Sequence, residues 1–100
     1  TGGYDKAKIG TLYALRSACG SMVKIGISNN YKKRHVDLRS QTPFEWECIE
    51  LLHGDGKAIS ELERIFLEMT KPASLSKEFN GHTEWRKWDP RITSWFDDER

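Results

Sequence analysis

Gly10-Thr11-Leu12-Tyr13-Ala14-Leu15-Arg16-Ser17 and Met22-Val23-Lys24-Ile25-Gly26-Ile27-Ser28 are two alternating segments joined through Ala18-Cys19-Gly20-Ser21. Leu12 and Ala14 fall on one side of the first, Tyr13 and Leu15 on the other. In the second, Val23, Ile25 and Ile27 oppose Lys24, Gly26 and Ser28. A period of two marks extended strands, and the small residues between them mark a hairpin loop. The pair is expected to be antiparallel. Tyr13 and Lys24 each lie opposite their strand's small or branched apolar set, so both are expected on the face away from the main core.

Working outward, Ser28-Asn29-Asn30 carries turn and N-cap chemistry, and Tyr31 to about Ser40 reads as a helix. Tyr31, His35 and Leu38 share one stripe with Arg34 at its edge, whereas Lys32 and Lys33 point elsewhere. Glu45 to Leu52 reads as a third strand, closed by the breaker His53-Gly54-Asp55-Gly56. Lys57 to Met69 is the strongest helix, with Ala58, Ile59, Leu62, Ile65, Phe66 and Met69 as its apolar stripe. Thr83 to Trp88 suggests a brief strand, and Asp89-Pro90 resembles an N-cap followed by proline at the first helical position, opening a last helix over about 90–98. The expected fold is α+β: a small three-stranded antiparallel sheet flanked by helices, in a single domain over 1–100 with its core at about 10–88.

Composition narrows the function classes. Hydrophobic residues make up 37% and charged residues 31% of the 100 residues, an ordinary balance for one small domain. No apolar run approaches the roughly 20 residues needed to span a bilayer. Cys19 and Cys48 have no zinc-ligand spacing and are too few for a disulfide scaffold, so a reducing, cytoplasmic setting is expected. The net charge of +1 hides an asymmetry. Through Thr42, eight basic residues face Asp5 and Asp37, a net of +6; beyond it, eight basic residues face thirteen acids, a net of −5. A basic half suits a polyanion, and an acidic half offers carboxylates.

His35, His53 and His82 lack an i, i+4 pair, and Gly54-Asp55-Gly56-Lys57 is no phosphate-binding loop. A hard divalent ion is easier to place, because one carboxylate with water and substrate phosphate can hold Mg²⁺ (or Mn²⁺). Glu61, Glu63 and Glu68 lie on the central helix, and periodicity leaves the choice between Glu61 and Glu63 open. Tyr13, Lys24 and Arg34, arriving from three elements, form a set suited to handling a phosphate.

On these residues the chain resembles the GIY-YIG nucleases. Thr11-Leu12-Tyr13 corresponds to their first motif and Lys24-Ile25-Gly26 to their second, with Ala14 to Val23 between. Arg34 stands eight residues beyond Gly26, as the family's catalytic Arg does, and Leu62-Glu63-Arg64-Ile65-Phe66 matches the context of its metal-binding Glu. Thr83-Glu84-Trp85 is similar to the ending of the phage-type branch, in which Lys before Ile-Gly is also familiar. Two departures stand out: Lys24 replaces the second motif's Tyr, and Phe66-Leu67 replaces the polar residue that often follows the helix Glu.

The resemblance implies a metal-dependent DNA endonuclease. Tyr13, Lys24, Arg34 and Glu63 would be catalytic, with Glu63 the metal ligand. Lys24 would be either a base or a fixed cation on the phosphate. Lys32, Lys33, His35 and Arg39 would contact DNA, and Asn80 takes the place of the family's supporting Asn. No membrane partner is implied, and at this size a fused or separate specificity domain, or a homodimer, would choose the target. Two rivals remain from the residues alone: a silent nucleic-acid-binding module, and a protein-interaction domain using Trp85, Trp88, Trp95 and Phe96.

Overall fold

The two alternating segments form the antiparallel hairpin at the centre of the molecule: β1 (Gly10–Ser17) and β2 (Met22–Ser28). A computed structural model describes residues 3–73 and 85–100. After the hairpin come α1 (Tyr31–Gln41), β3 (Trp46–Gly54), α2 (Gly56–Glu68), β4 (Trp85–Lys87) and α3 (Ile92–Asp98). The strand order is β3-β1-β2-β4, and every described pairing is antiparallel. The sheet therefore has four strands where three were expected. β4 is only three residues long, and its register against β2 (Lys24 opposite Trp85) depends on a partner remote in sequence. Glu84, His82 and Asn80 lie outside the described residues.

Both faces of the sheet are covered. Leu12, Ala14, Val23 and Ile25 pack with Ile59 and Phe66 of α2 and with Ile92 and Phe96 of α3. On the other face, Tyr13 and Leu15 pack with Leu38 of α1, Trp46 and Trp85. The face carrying Tyr13 and Lys24 was expected to lie away from the core; instead it holds a second core under α1. Two thin cores, each contributing about 1.5–3 kcal/mol per fully buried large side chain, replace one thick one. Phe96 and Trp85 are buried within them, and Trp88 and Trp95 are half-buried, with the Arg16 guanidinium 3.8 Å over the Trp88 ring.

Two boundaries and one helix face differ from expectation. The last helix begins at Ile92 because Asp89 accepts from the Arg91 backbone N–H and binds its guanidinium, closing a turn instead of capping a helix. β3 starts at Trp46 and runs to Gly54, with a bulge where Ala14 pairs with Glu50 but Leu15 pairs with Cys48; Ile49 is the extra residue, so strict alternation fails there. α2 is rotated from its expected face. Gly56, Ile59, Phe66 and the adjoining Thr70 are buried and Glu63 is half-buried, whereas Ala58, Ile65 and Met69 are exposed. The rotation follows from Gly56, where an added Cβ would collide with the Lys6 and Lys8 carbonyls.

Candidate active site

The site grows from the register of β1 on β2. Tyr13 lies opposite Gly26 and Leu15 opposite Lys24, so Tyr13, Gly26 and Lys24 share one face, and β4 places Trp85 on the far side of Lys24. A Cβ on residue 26 would run into the Tyr13 ring and hydroxyl. Glycine is therefore what lets the phenol lie flat across β2. Both Tyr13 and Lys24 are almost wholly buried, at 1% and 2% exposure.

α1 supplies the third group. Asn30 caps it by accepting from the Lys33 backbone N–H, a contact worth about 1 kcal/mol. From its second turn, Arg34 donates through Nε to the Tyr13 hydroxyl at 3.4 Å. Tyr31, one turn earlier, sets its ring 5.3 Å from that of Tyr13, and its hydroxyl lies 3.1 Å from His35 Nδ1. His35 in turn meets Trp46 edge-on at 4.9 Å. Burial first, then the Cys48 thiol and Tyr13, push the Tyr31 phenol well above its ordinary pKa. The Tyr31 ring packs against that of Tyr13.

The other expected DNA contacts divide. Lys32 and Lys33 are exposed, and Lys33 lines a cleft of about 300 Å³ beside Arg34. Arg39 is further along α1, with its guanidinium 3.8 Å over Trp46 and 3.4 Å from Glu45. His35 is half-buried between Tyr31 and Trp46. Asn80 is outside the described residues.

Glu63 is on α2, which packs on the face of the sheet opposite Tyr13 and Lys24. It is half-buried on the inner side of α2, while Glu61 is exposed and bonded to Arg64. That pairing holds the Glu61 carboxyl below its usual range. Glu63's charge is felt at Tyr4, whose phenol is pushed up by burial, then by Asp55, then by Glu63. Tyr4 lines the same cleft as Arg34. Tyr4 has no signal in the sequence, because a lone aromatic in a stretch of Gly, Asp and Lys shows no periodicity.

Among the described residues, no three His, Cys, Asp or Glu side chains form a group that would cage a metal. Mg²⁺ is usually held by one or two carboxylates with waters and phosphate oxygens, and Glu63 would be that carboxylate here. No described helix is long and apolar enough to cross a membrane.

A sequence profile described as the T5orf172 domain matches residues 10–94. Comparison with curated proteins and with solved structures gave no match.

Proposed function

The chain belongs to the T5orf172 domain family, a phage-associated family with nuclease-like members, and from that premise we propose that it is a metal-dependent DNA endonuclease. The observation that carries this reading is the contact of Arg34 with the Tyr13 hydroxyl on the face shared with Lys24. A surface that only grips a polyanion needs exposed cations. Beyond its packing, a phenol hydroxyl held by an arginine, with a half-buried carboxylate at Glu63, adds groups that such gripping does not require.

In the proposed reaction Arg34 binds the nonbridging oxygens of the scissile phosphate and stabilises the charge that builds on them in the transition state. Tyr13, fixed by Gly26, Tyr31 and Arg34, orients the attacking water by hydrogen bonding. Lys24, acting as the neutral amine, takes a proton from that water. Glu63 would hold Mg²⁺ or Mn²⁺, which supplies charge neutralisation at the phosphate and stabilises the leaving oxygen. Lys32 and Lys33 add affinity along the DNA backbone without reading sequence. Target choice would come from a fused or separate specificity domain or from pairing of two copies. Plasmid cleavage with and without Mg²⁺ tests the reading.

A further inference from the structure

Ahead of the residues matched to the family, Gly3 to Ile9 cross the end of the sheet where β1 begins and β2 finishes. Asn29 pins this strap: its Oδ1 accepts from the Asp5 backbone N–H at 2.7 Å, and its Nδ2 donates to the carbonyls of Asp5 and Ile9 at 3.0 and 3.1 Å. At the strap's start the Tyr4 hydroxyl donates to the Gly56 carbonyl at 2.7 Å. Tyr4 packs against the core and is among the residues that line the 300 Å³ cleft.

The rest of that lining is unlike a seat for phosphate alone. Lys33 and Arg34 bring positive charge, but Ile27 adds an apolar wall, Asn30 a polar one and Asp37 a carboxylate. A carboxylate repels a phosphate and accepts from an amino or imino group. An aromatic face beside an aliphatic one takes a flat ring. The volume is at the low end of the range that small-molecule sites occupy.

We propose that this cleft receives a nucleobase, stacked on Tyr4 and facing Asp37, from the nucleotide attached to the phosphate that Arg34 holds. The inference rests on the reading of Arg34 as a phosphate ligand. A base inside a duplex stack does not reach such a recess, so the substrate is DNA with an unpaired nucleotide at the contacted position. Extruding a base is costly in paired DNA and least so where it is already unpaired.

Equilibrium binding in EDTA, followed by fluorescence anisotropy, tests this without cleavage. The probes are a labelled duplex, the same duplex with one bulged nucleotide, and that bulge carrying an abasic spacer. Stacking of one base on an aromatic ring predicts about 5- to 150-fold tighter binding of the bulged duplex. The abasic spacer should abolish the gain, Tyr4→Leu should abolish it, and Tyr4→Phe should keep it. Should Tyr4→Leu fail to fold by circular dichroism, the abasic probe on the wild type and Asp37→Asn decide instead. Equal affinity of the wild type for all three probes overturns the proposal, as does an undiminished bulge preference in folded Tyr4→Leu. A bulge preference without Mg²⁺-dependent cleavage sinks the nuclease reading and leaves this one standing; cleavage without the preference does the reverse.

Discussion

Arg34 Nε stands 3.4 Å from the Tyr13 hydroxyl, joining the middle of β1 to the second turn of α1. Gly26 makes the contact feasible, since Tyr13 occupies the space that any other side chain at position 26 would fill. Gly26→Ala should therefore act as overpacking, with a loss of about 1–3 kcal/mol of stability. Urea denaturation of the variant measures it, and an unchanged midpoint would mean that the phenol moves aside without cost.

The two central-helix carboxylates should separate cleanly. Glu61 is exposed and paired with Arg64, so Glu61→Gln should cleave nearly as the wild type does. Glu63→Gln should lose cleavage and keep DNA binding, or tighten it, because one negative charge near phosphate is removed. Gel-shift and cleavage assays on the pair check the assignment, and reversed effects would mean that Glu61 carries the role.

Salt dependence should report the side chains that touch phosphate. Lys32→Ala and Lys33→Ala should each lower the slope of log K against log salt by about one. Arg39→Ala should lower it less, because that guanidinium is already stacked on Trp46 and beside Glu45. Equal slopes for all three variants would place Arg39 on the DNA backbone too.

Cys19 offers a pH readout of the hairpin loop. Its thiol lies 3.4 Å from the Ser17 hydroxyl and 3.0 Å from that of Ser21, and these bonds lower its pKa to about 7. A depressed pKa means the folded state favours the thiolate. The associated stabilisation is present above the unfolded value of about 8.5 and is lost as pH falls through 7. Iodoacetamide labelling should rise with a midpoint near 7 at Cys19, and Ser21→Ala should move that midpoint upward. Mass spectrometry of the labelled peptides reads both.

Much of this arrangement is legible in the residues, and the losses have definable causes. Alternation over 10–17 and 22–28 delimits β1 and β2 because each strand has one apolar side and a turn beside it. The apolar count on α2 misplaces its buried face, since it scores Ile65 and Met69 as inner and gives no weight to Gly56, which sets the rotation by close backbone approach. The brief strand within 83–88 is legible as β4, but the bulge at Ile49 and the joining of β4 to β2 depend on partners distant in sequence. Spacing groups Tyr13, Lys24 and Arg34, and the structure joins Arg34 to Tyr13 and puts Lys24 on the Tyr13 face. Tyr4 is not legible, for its place depends on Asn29 and on the carbonyl of Gly56.

Lys24 sits at 2% exposure, across from Leu15 and Trp85. If it takes the water's proton, the single-turnover rate should climb with pH and level off, and Lys24→Arg should be inactive, since arginine stays protonated. An active Lys24→Arg enzyme with an unchanged profile would remove Lys24 as the base and leave it as a cation on the phosphate.

Conversion of supercoiled plasmid by the wild type, by Arg34→Ala and by Glu63→Gln, with Mg²⁺ and with EDTA, is the most direct trial of the central claim. Nicked or linear product is expected from the wild type only with Mg²⁺ and none from either variant, while Glu63→Gln still shifts DNA in a gel. Wild-type protein that binds the plasmid but leaves it supercoiled in Mg²⁺ and in Mn²⁺ would contradict the claim, and would make the domain a binding module.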